Sequence, residues 1–264
     1  MILEDTQNGP SRQRIAINHV GVTDLRYPIV VLDRENAKQQ TVAKFTASVG
    51  LPHHFKGTHM SRFIEVLSNH RGEITMSRLI CILGDLRARL EAESARVEVR
   101  FPYFLERAAP VTGARALMDY DCTFVAESNG ESLDFVFGVD VPVSSLCPCS
   151  KAIADYGAHN QRGSIRIEVR TKRHETGEIQ FVWIEELIEI AERSGSAPLY
   201  PLLKRPDERY ITMLVFDNPA FVEDMVRNVA VQLKEDHRIS WFRVHAENQE
   251  SIHNHNAYAC IELS

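Results

Sequence analysis

The chain has 264 residues, 44% of them hydrophobic and 25% charged, with a formal net charge of −6. That composition belongs to a globular protein with chain enough for one large or two small domains, and its acidic balance excludes a general nucleic-acid footprint. No apolar run approaches the roughly 20 residues of a membrane span, and Met1 to Arg14 is polar without a signal-peptide core. A cytoplasmic protein that binds neither membrane nor nucleic acid is therefore expected. The five cysteines, Cys81, Cys122, Cys147, Cys149 and Cys260, are odd in number and fit free thiols in a reducing compartment.

Residues 1–13 read as a disordered lead. Ile15, Ile17 and Val20-Gly21-Val22 suggest a first strand, Tyr27 to Leu32 a second, and Asn36 to Leu51 a further extended piece. Thr58 is the expected N-cap of a helix with Phe63, Val66 and Leu67 on one face. A second helix opens at Thr75, with Leu79, Leu83, Leu86 and Leu90 as its apolar stripe. Arg96 to Phe104, Leu117 to Ala126 and Leu133 to Val143 alternate as strands, and Asn129-Gly130 is a hairpin turn between the last two. Ser164 to Thr171 alternates again. Phe181 to Ala191 reads as a helix with Trp183, Leu187, Ile190 and Ala191 on its apolar side. Ser194 to Asp207 reads as a loop carrying Lys204 and Arg205. Asn218-Pro219 is the expected start of a helix that runs to about Glu235. Ile239 to Ala246 and Ala257 to Leu263 close the chain as strands.

The order is strand-strand-helix-helix-strand-strand, then roughly the same again, with no repeat at the level of residues. An α+β protein follows, with helices on one face of antiparallel sheet and two modules, 14–143 and 144–264, the second carrying most of the active site. Open sheet edges favour oligomerisation.

Chemistry concentrates at Ser144-Ser145-Leu146-Cys147-Pro148-Cys149-Ser150-Lys151, followed by Gly157-Ala158-His159-Asn160-Gln161-Arg162. Pro148 argues against a helix interior. In an extended segment Cys147 and Cys149 would face the same way. A chemically silent pair of buried cysteines is the bland alternative. Three further stretches are polar where a core would be apolar: Lys204 to Glu208, Phe221 to Asp224, and Asn248 to Asn256 with His253 and His255. With Cys147 and His159 they supply sulfur, nitrogen and oxygen donors, a set that suits Zn²⁺ and also Fe²⁺ or Mn²⁺. The spacing matches no zinc finger, so one catalytic divalent metal per site is expected. There is no phosphate-binding Gly-x-x-x-x-Gly-Lys-[Ser/Thr] loop.

Taken in order, Lys56-Gly57-Thr58-His59-Met60-Ser61-Arg62-Phe63, Ser145 to Lys151, Gly157 to Arg162, Leu203 to Glu208, Asn218-Pro219 with Phe221 to Asp224, and Glu250 to His255 resemble the prokaryotic type IB GTP cyclohydrolases, the FolE2-like enzymes. One departure is Ile211-Thr212-Met213, where the family usually has Val-Thr-Glu. The resemblance implies a tunnelling fold (T-fold) of two ββααββ-like modules, assembled as a homotetramer with active sites at subunit interfaces. It implies hydrolytic opening of GTP to formate and 7,8-dihydroneopterin triphosphate, the first step towards tetrahydrofolate. It implies Cys147, His159 and Glu208 as metal ligands, with His253 a fourth ligand or one that exchanges with water. Cys149 is then the candidate for proton transfer to a ring nitrogen and His255 a shuttle or orienting group. A carboxylate at Glu223 can accept from both N1–H and the 2-amino group of guanine. Lys56, Arg62, Lys204 and Arg205, with His59 beside them, are the candidate triphosphate cations. Another T-fold pterin or deazapurine enzyme and a zinc-stabilised oligomeric binding module are the alternatives.

Overall fold

The computed structural model describes residues 7, 9–173 and 179–264. They form two compact units that interleave along the chain. The first holds the described residues up to Pro102 together with Thr123–Val136; the second holds Tyr103–Cys122 and Phe137–Ser264. A sequential division at 143/144 would instead fall inside a strand, because the strand from Leu133 continues to Leu146. Most of the expected lead 1–13 lies outside the described residues or is irregular. Its described part makes backbone hydrogen bonds: Gln7 and Gly9 accept from Gly57 and Lys56, and Ser11 donates to His54.

In the first unit, β1 (Ile17–Asp33) pairs antiparallel with β2 (Ala37–Leu51), and β2 with β4 (Ala95–Ala108). A two-residue β3 (Gly72–Glu73) adds parallel to β1. The two strands expected before Leu32 are one. The Thr23-Asp24 interruption is absorbed as a bulge, with a register shift between Val22 and Leu25 and Asp24 at φ 57°. Helix α1 (Met60–Asn69) starts after His59, not Thr58, and no side chain caps it. Helix α2 (Met76–Leu90) starts as expected: the Thr75 hydroxyl accepts the Arg78 N–H at 3.3 Å. Phe63, Leu79, Ile82, Leu83 and Leu86 are buried with Ala43, Phe45, Ala47, Val97 and Val99 of the strands. Each large side chain removed from water in this way contributes about 1.5–3 kcal/mol.

In the second unit the strand order is β10-β9-β7-β6-β5-β4, where β7 is Asn160–Thr171, β9 Ile239–Asn248 and β10 Ala257–Leu263, while β6 (Leu133–Leu146) belongs to this unit from Phe137, β5 (Arg115–Ser128) as far as Cys122 and β4 from Tyr103; a short β8 (Ala197–Pro198) also pairs with β6. Strand β7 pairs antiparallel with both β6 and β9. Ile165, Ile167, Val169, Phe242, Val244 and Ala246 are buried, as are Leu187, Ile188 and Ala191 of α4 (Ile184–Ser194) and Met225, Val229 and Leu233 of α6 (Val222–Glu235). Ile188, not Ile190, completes the buried face of α4.

Two expectations fail here. The loop expected from Ser194 to Asp207 ends early, and α5 (Arg205–Asp217) follows. Asn218 closes α5 instead of opening the next helix, and α6 begins after Phe221. Helix α5 was hidden because it has almost no apolar stripe: its buried residues are Asp207 and Val215. The three helices α4, α5 and α6 begin alike. Glu186, Asp207 and Asp224 each accept the backbone N–H three residues earlier, at 2.8, 2.9 and 3.1 Å. An acid at this position satisfies a donor that the first turn leaves open.

Candidate active site

The Cys-Pro-Cys segment is not extended. Leu146 ends β6, Cys147 is the N-cap of the short helix α3 (Pro148–Ile153), and Pro148 takes the first helical position. Proline suits that position because its missing N–H has no partner to lose there. The cysteines therefore do not share a face by strand alternation. Cys147 is half-buried and its Sγ accepts the Ser150 N–H at 3.4 Å, whereas Cys149 is exposed. The Lys151 ammonium donates to the Phe216 carbonyl at the end of α5 and lies 4.3 Å from that ring's centroid.

His159 stands just before β7, beside Cys147. The Cys147 N–H donates to the His159 carbonyl at 3.1 Å, and the His159 N–H donates to Ser150 Oγ at 3.2 Å. The His159 ring lies 6.4 Å from that of His253, which lies 5.1 Å from that of His255. His253 Nδ1 is 3.6 Å from the Glu250 carboxylate. The structure thus brings Cys147, His159, His253 and His255 into one neighbourhood at the ends of β6, β7 and β9.

The other candidates are placed more loosely. Glu208 is exposed in the first turn of α5. Ile211, one turn further on, packs with Leu214 and Phe216 against Leu146 and Val215, as does Ala158. This packing joins α5 to the residues flanking Cys147 and His159. Glu223, Lys204 and Arg205 are exposed at helix starts. The start of α6 is held to β6, because the Ala220 N–H donates to the Leu146 carbonyl at 3.2 Å. Lys56, His59 and Arg62 belong to the first unit, where Arg62 Nη1 donates to the Arg89 carbonyl at 3.1 Å. Among the described residues, no three His, Cys, Asp or Glu side chains gather closely enough to hold a metal ion.

Two groups of buried polar residues escaped the sequence reading. Asp207 is fully buried and accepts from the Val111 and Thr112 N–H groups, the Thr112 hydroxyl and the Lys204 N–H, at 2.6–2.9 Å. Burial would raise its carboxyl, but these hydrogen bonds outweigh it and hold the group well below the usual carboxylate range. Ser145, Gln161 and Asn248 form the second group, directly beneath the cysteine and histidines. Their signal was present: each occupies an inward-facing position of a strand whose other inward residues are apolar.

The mixed α+β architecture is one already known among enzymes. Urate oxidase from Bacillus sp. TB-90 aligns with a TM-score of 0.55 at 11% identity, covering 94% of this chain and 100% of that one. A uricase from Bacillus fastidious aligns with a TM-score of 0.55 at 7% identity, covering 94% and 92%. At such identities the likeness shows a shared fold and nothing of the reaction.

Sequence supplies the narrower class. Residues 3–259 match the family described as type I GTP cyclohydrolase FolE2. The GTP cyclohydrolase FolE2 of Pelobacter propionicus is 51% identical over 261 residues, covering 99% of this chain and 98% of the relative. That of Geobacter sulfurreducens is 51% identical over 260 residues, covering 98% of each. The chain belongs to the type I GTP cyclohydrolase FolE2 family.

Proposed function

We infer that the chain is a GTP cyclohydrolase, opening the imidazole ring of GTP by hydrolysis to release formate and 7,8-dihydroneopterin triphosphate for tetrahydrofolate synthesis. The observation that carries this is the near full-length match at about half identity, with the motif residues Cys147, His159 and His253 assembled at one end of the second unit. The test is direct. Purified protein incubated with GTP should yield formate and, after oxidation, pterin fluorescence in equal amounts; neither product at any divalent metal supplied would overturn the reading.

The donor chemistry fits a divalent metal. Cys147 offers a sulfur and His159 a ring nitrogen from adjacent backbone positions, and His159 Nδ1 is already engaged by Gln161 Oε1 at 3.0 Å, which leaves Nε2 as the donor. We assign Cys147, His159 and Glu208 to a Zn²⁺, Mn²⁺ or Fe²⁺ ion, with His253 as fourth ligand or in exchange with water. Such an ion lowers the pKa of bound water to about 7 and so supplies hydroxide at neutral pH. The chain's own groups do the rest. Exposed Cys149 moves a proton at a purine ring nitrogen, His255 orients or relays, and the Glu223 carboxylate accepts from N1–H and the 2-amino group of guanine. Lys204 and Arg205 are assigned to the triphosphate, with Lys56, His59 and Arg62 retained as candidates.

The proposed assembly is a homotetramer of tunnelling-fold subunits, each with two ββααββ-like modules and with sites at subunit interfaces. The element order supports the modules: β1-β2-α1-α2-β4-β5 is followed by β6-β7-α4-α6-β9-β10, with α3 and α5 as additions to the second. Large apolar side chains beside the site support the interface. Ile153 and Tyr156, between Cys147 and His159, are 86% and 92% exposed, and Ile252, next to His253, is 66% exposed. Among the described residues no helix is long and apolar enough to cross a membrane. Five free thiols suit a reducing cytoplasm.

A further inference from the structure

Beneath the cysteine and histidines lies a hydroxyl whose hydrogen bonds leave it no freedom. Ser145 is 0% exposed and is the cross-strand partner of Gln161 in the β6–β7 pair. Its Oγ donates to the Ala220 carbonyl at 3.3 Å, and lies 3.3 Å from Gln161 Nε2 and 3.0 Å from Asn248 Nδ2. A hydroxyl has one proton and two lone pairs. The Ala220 carbonyl can only accept, so the proton is spent there. Both amides must then present their NH₂ groups to the two lone pairs.

That requirement passes along Gln161. With its nitrogen held by Ser145, its Oε1 faces His159 Nδ1 at 3.0 Å. An amide oxygen only accepts, so Nδ1 must carry a ring proton, and in the neutral imidazole Nε2 then keeps its lone pair. Amide orientation and histidine tautomer are set by the network around them, and here the Ala220 carbonyl that takes the Ser145 proton turns both NH₂ groups towards the hydroxyl, leaving Asn248 Oδ1 buried with no hydrogen-bond partner. Asn248 enters the same hydroxyl from the end of β9, where the segment bearing His253 begins, and the Gln249 N–H donates to the Arg162 carbonyl at 2.9 Å. Gly163 makes room for it: a Cβ there would stand 2.4 Å from Asn248 Oδ1.

We propose that Ser145 and Gln161 are positioning residues that lock His159 in its Nδ1–H tautomer through the chain Ala220–Ser145–Gln161–His159, with Asn248 tying the His253 segment to the same hydroxyl. The proposal rests on the reading that His159 works through Nε2. A neutral imidazole can bind a metal only through the nitrogen without the proton, and the partner of the other nitrogen decides which one that is. Remove the network and the ring reverts towards the Nε2–H form that histidine prefers in water, which has no lone pair where the site needs one.

The test reads the tautomer without relying on activity. Full-length, metal-free protein with ¹⁵N-labelled histidine rings is studied by two-bond ¹H–¹⁵N spectra, with a His159→Asn sample to assign the His159 signals. The parent should show a protonated Nδ1 and a pyridine-like Nε2. Ser145→Ala and Gln161→Leu should shift His159 towards the Nε2–H pattern. In the metal-replete enzyme both should lower kcat by about 10–100-fold with KM for GTP unchanged. An Nε2–H parent, or folded variants that keep the Nδ1–H pattern, would overturn the proposal, as would an unaltered kcat in Gln161→Leu. Should Ser145→Ala fail to fold, Gln161→Leu decides, since its side chain lies at the edge of the buried region. A parent that turns over no GTP would sink the functional reading, while the metal-free spectra would still report whether the network sets the tautomer.

Discussion

The interior of the first unit and the floor of the site in the second are built on opposite terms. In the first, the inward positions of β2 and β4 and of α1 and α2 carry alanine, valine, leucine, isoleucine and phenylalanine, with Thr41 of β2 a polar exception whose hydroxyl donates to the Pro102 carbonyl at 2.8 Å. In the second, the same inward alternation along β6, β7 and β9 ends in Ser145, Gln161 and Asn248, all buried. A buried polar group costs about 1–3 kcal/mol unless it is hydrogen-bonded. Here the hydrogen bonds converge on the Ser145 hydroxyl, two residues before Cys147, and only the Asn248 amide oxygen of the three side chains is left without a partner. The difference teaches where the molecule is built for stability and where for geometry. Apolar burial is tolerant of direction; a hydroxyl between two amides and a carbonyl is not.

Substitutions should therefore separate the two regions by what they damage. The largest effect is expected at the exposed rim above the polar floor. Cys149→Ser should lower turnover by about 10²–10⁴-fold while thermal unfolding and metal content stay as in the parent, because Cys149 is exposed and lies outside the core. A variant that retained most of its turnover would remove Cys149 from the chemistry. Next comes the opposite result in the first unit. Leu83→Ala, at a side chain 1% exposed in α2, should cost about 2–5 kcal/mol in chemical denaturation. The folded fraction should keep the parent kcat, and a kcat defect there would break the separation.

A smaller effect is expected at the guanine contact. Glu223→Gln removes one charge-assisted acceptor from an exposed position. It should raise KM for GTP about tenfold at unchanged metal content; steady-state kinetics with metal analysis on one preparation check this. The smallest effect at neutral pH concerns Asp207, whose carboxyl is held below the usual range despite burial, by hydrogen bonds from Thr112, Lys204 and Val111. A carboxyl depressed in the folded state contributes stability above its unfolded pKa of about 3.9, and that contribution is lost as pH falls from there through the folded value. Asp207→Asn should thus be less stable than the parent at neutral pH but decline less steeply on the acid side. Unfolding midpoints across the acid range would show two parallel curves if the assignment is wrong.

Much of the scaffold was legible because its signals are local. The Leu79, Leu83 and Leu86 stripe with the Thr75 hydroxyl marked α2 to its first residue. Asn129-Gly130 marked the β5–β6 hairpin, where Asn129 Oδ1 accepts the Glu131 and Ser132 N–H groups and Gly130 takes φ 94°. Helix α5 was not legible, because Asp207 anchors it through residues near position 111, far away in sequence, and no stripe announces it. The Cys-Pro-Cys segment misled for a related reason. Alternation assumes an extended chain, whereas Pro148 is equally at home as the first residue of a helix.

By itself the sequence determined the class of fold, the family and the residue types that the chemistry needs, since hydropathy period, turn residues and motif spelling are properties of short stretches of chain. The tertiary structure alone decided that Cys147 and Cys149 part company at a helix start, that the His159, His253 and His255 rings lie near one another, and that Ser145, Gln161 and His159 form one hydrogen-bonded chain. Those facts depend on hydrogen bonds between strands far apart in the chain. A hydroxyl's single proton can be traced to its acceptor only when every neighbour is in place.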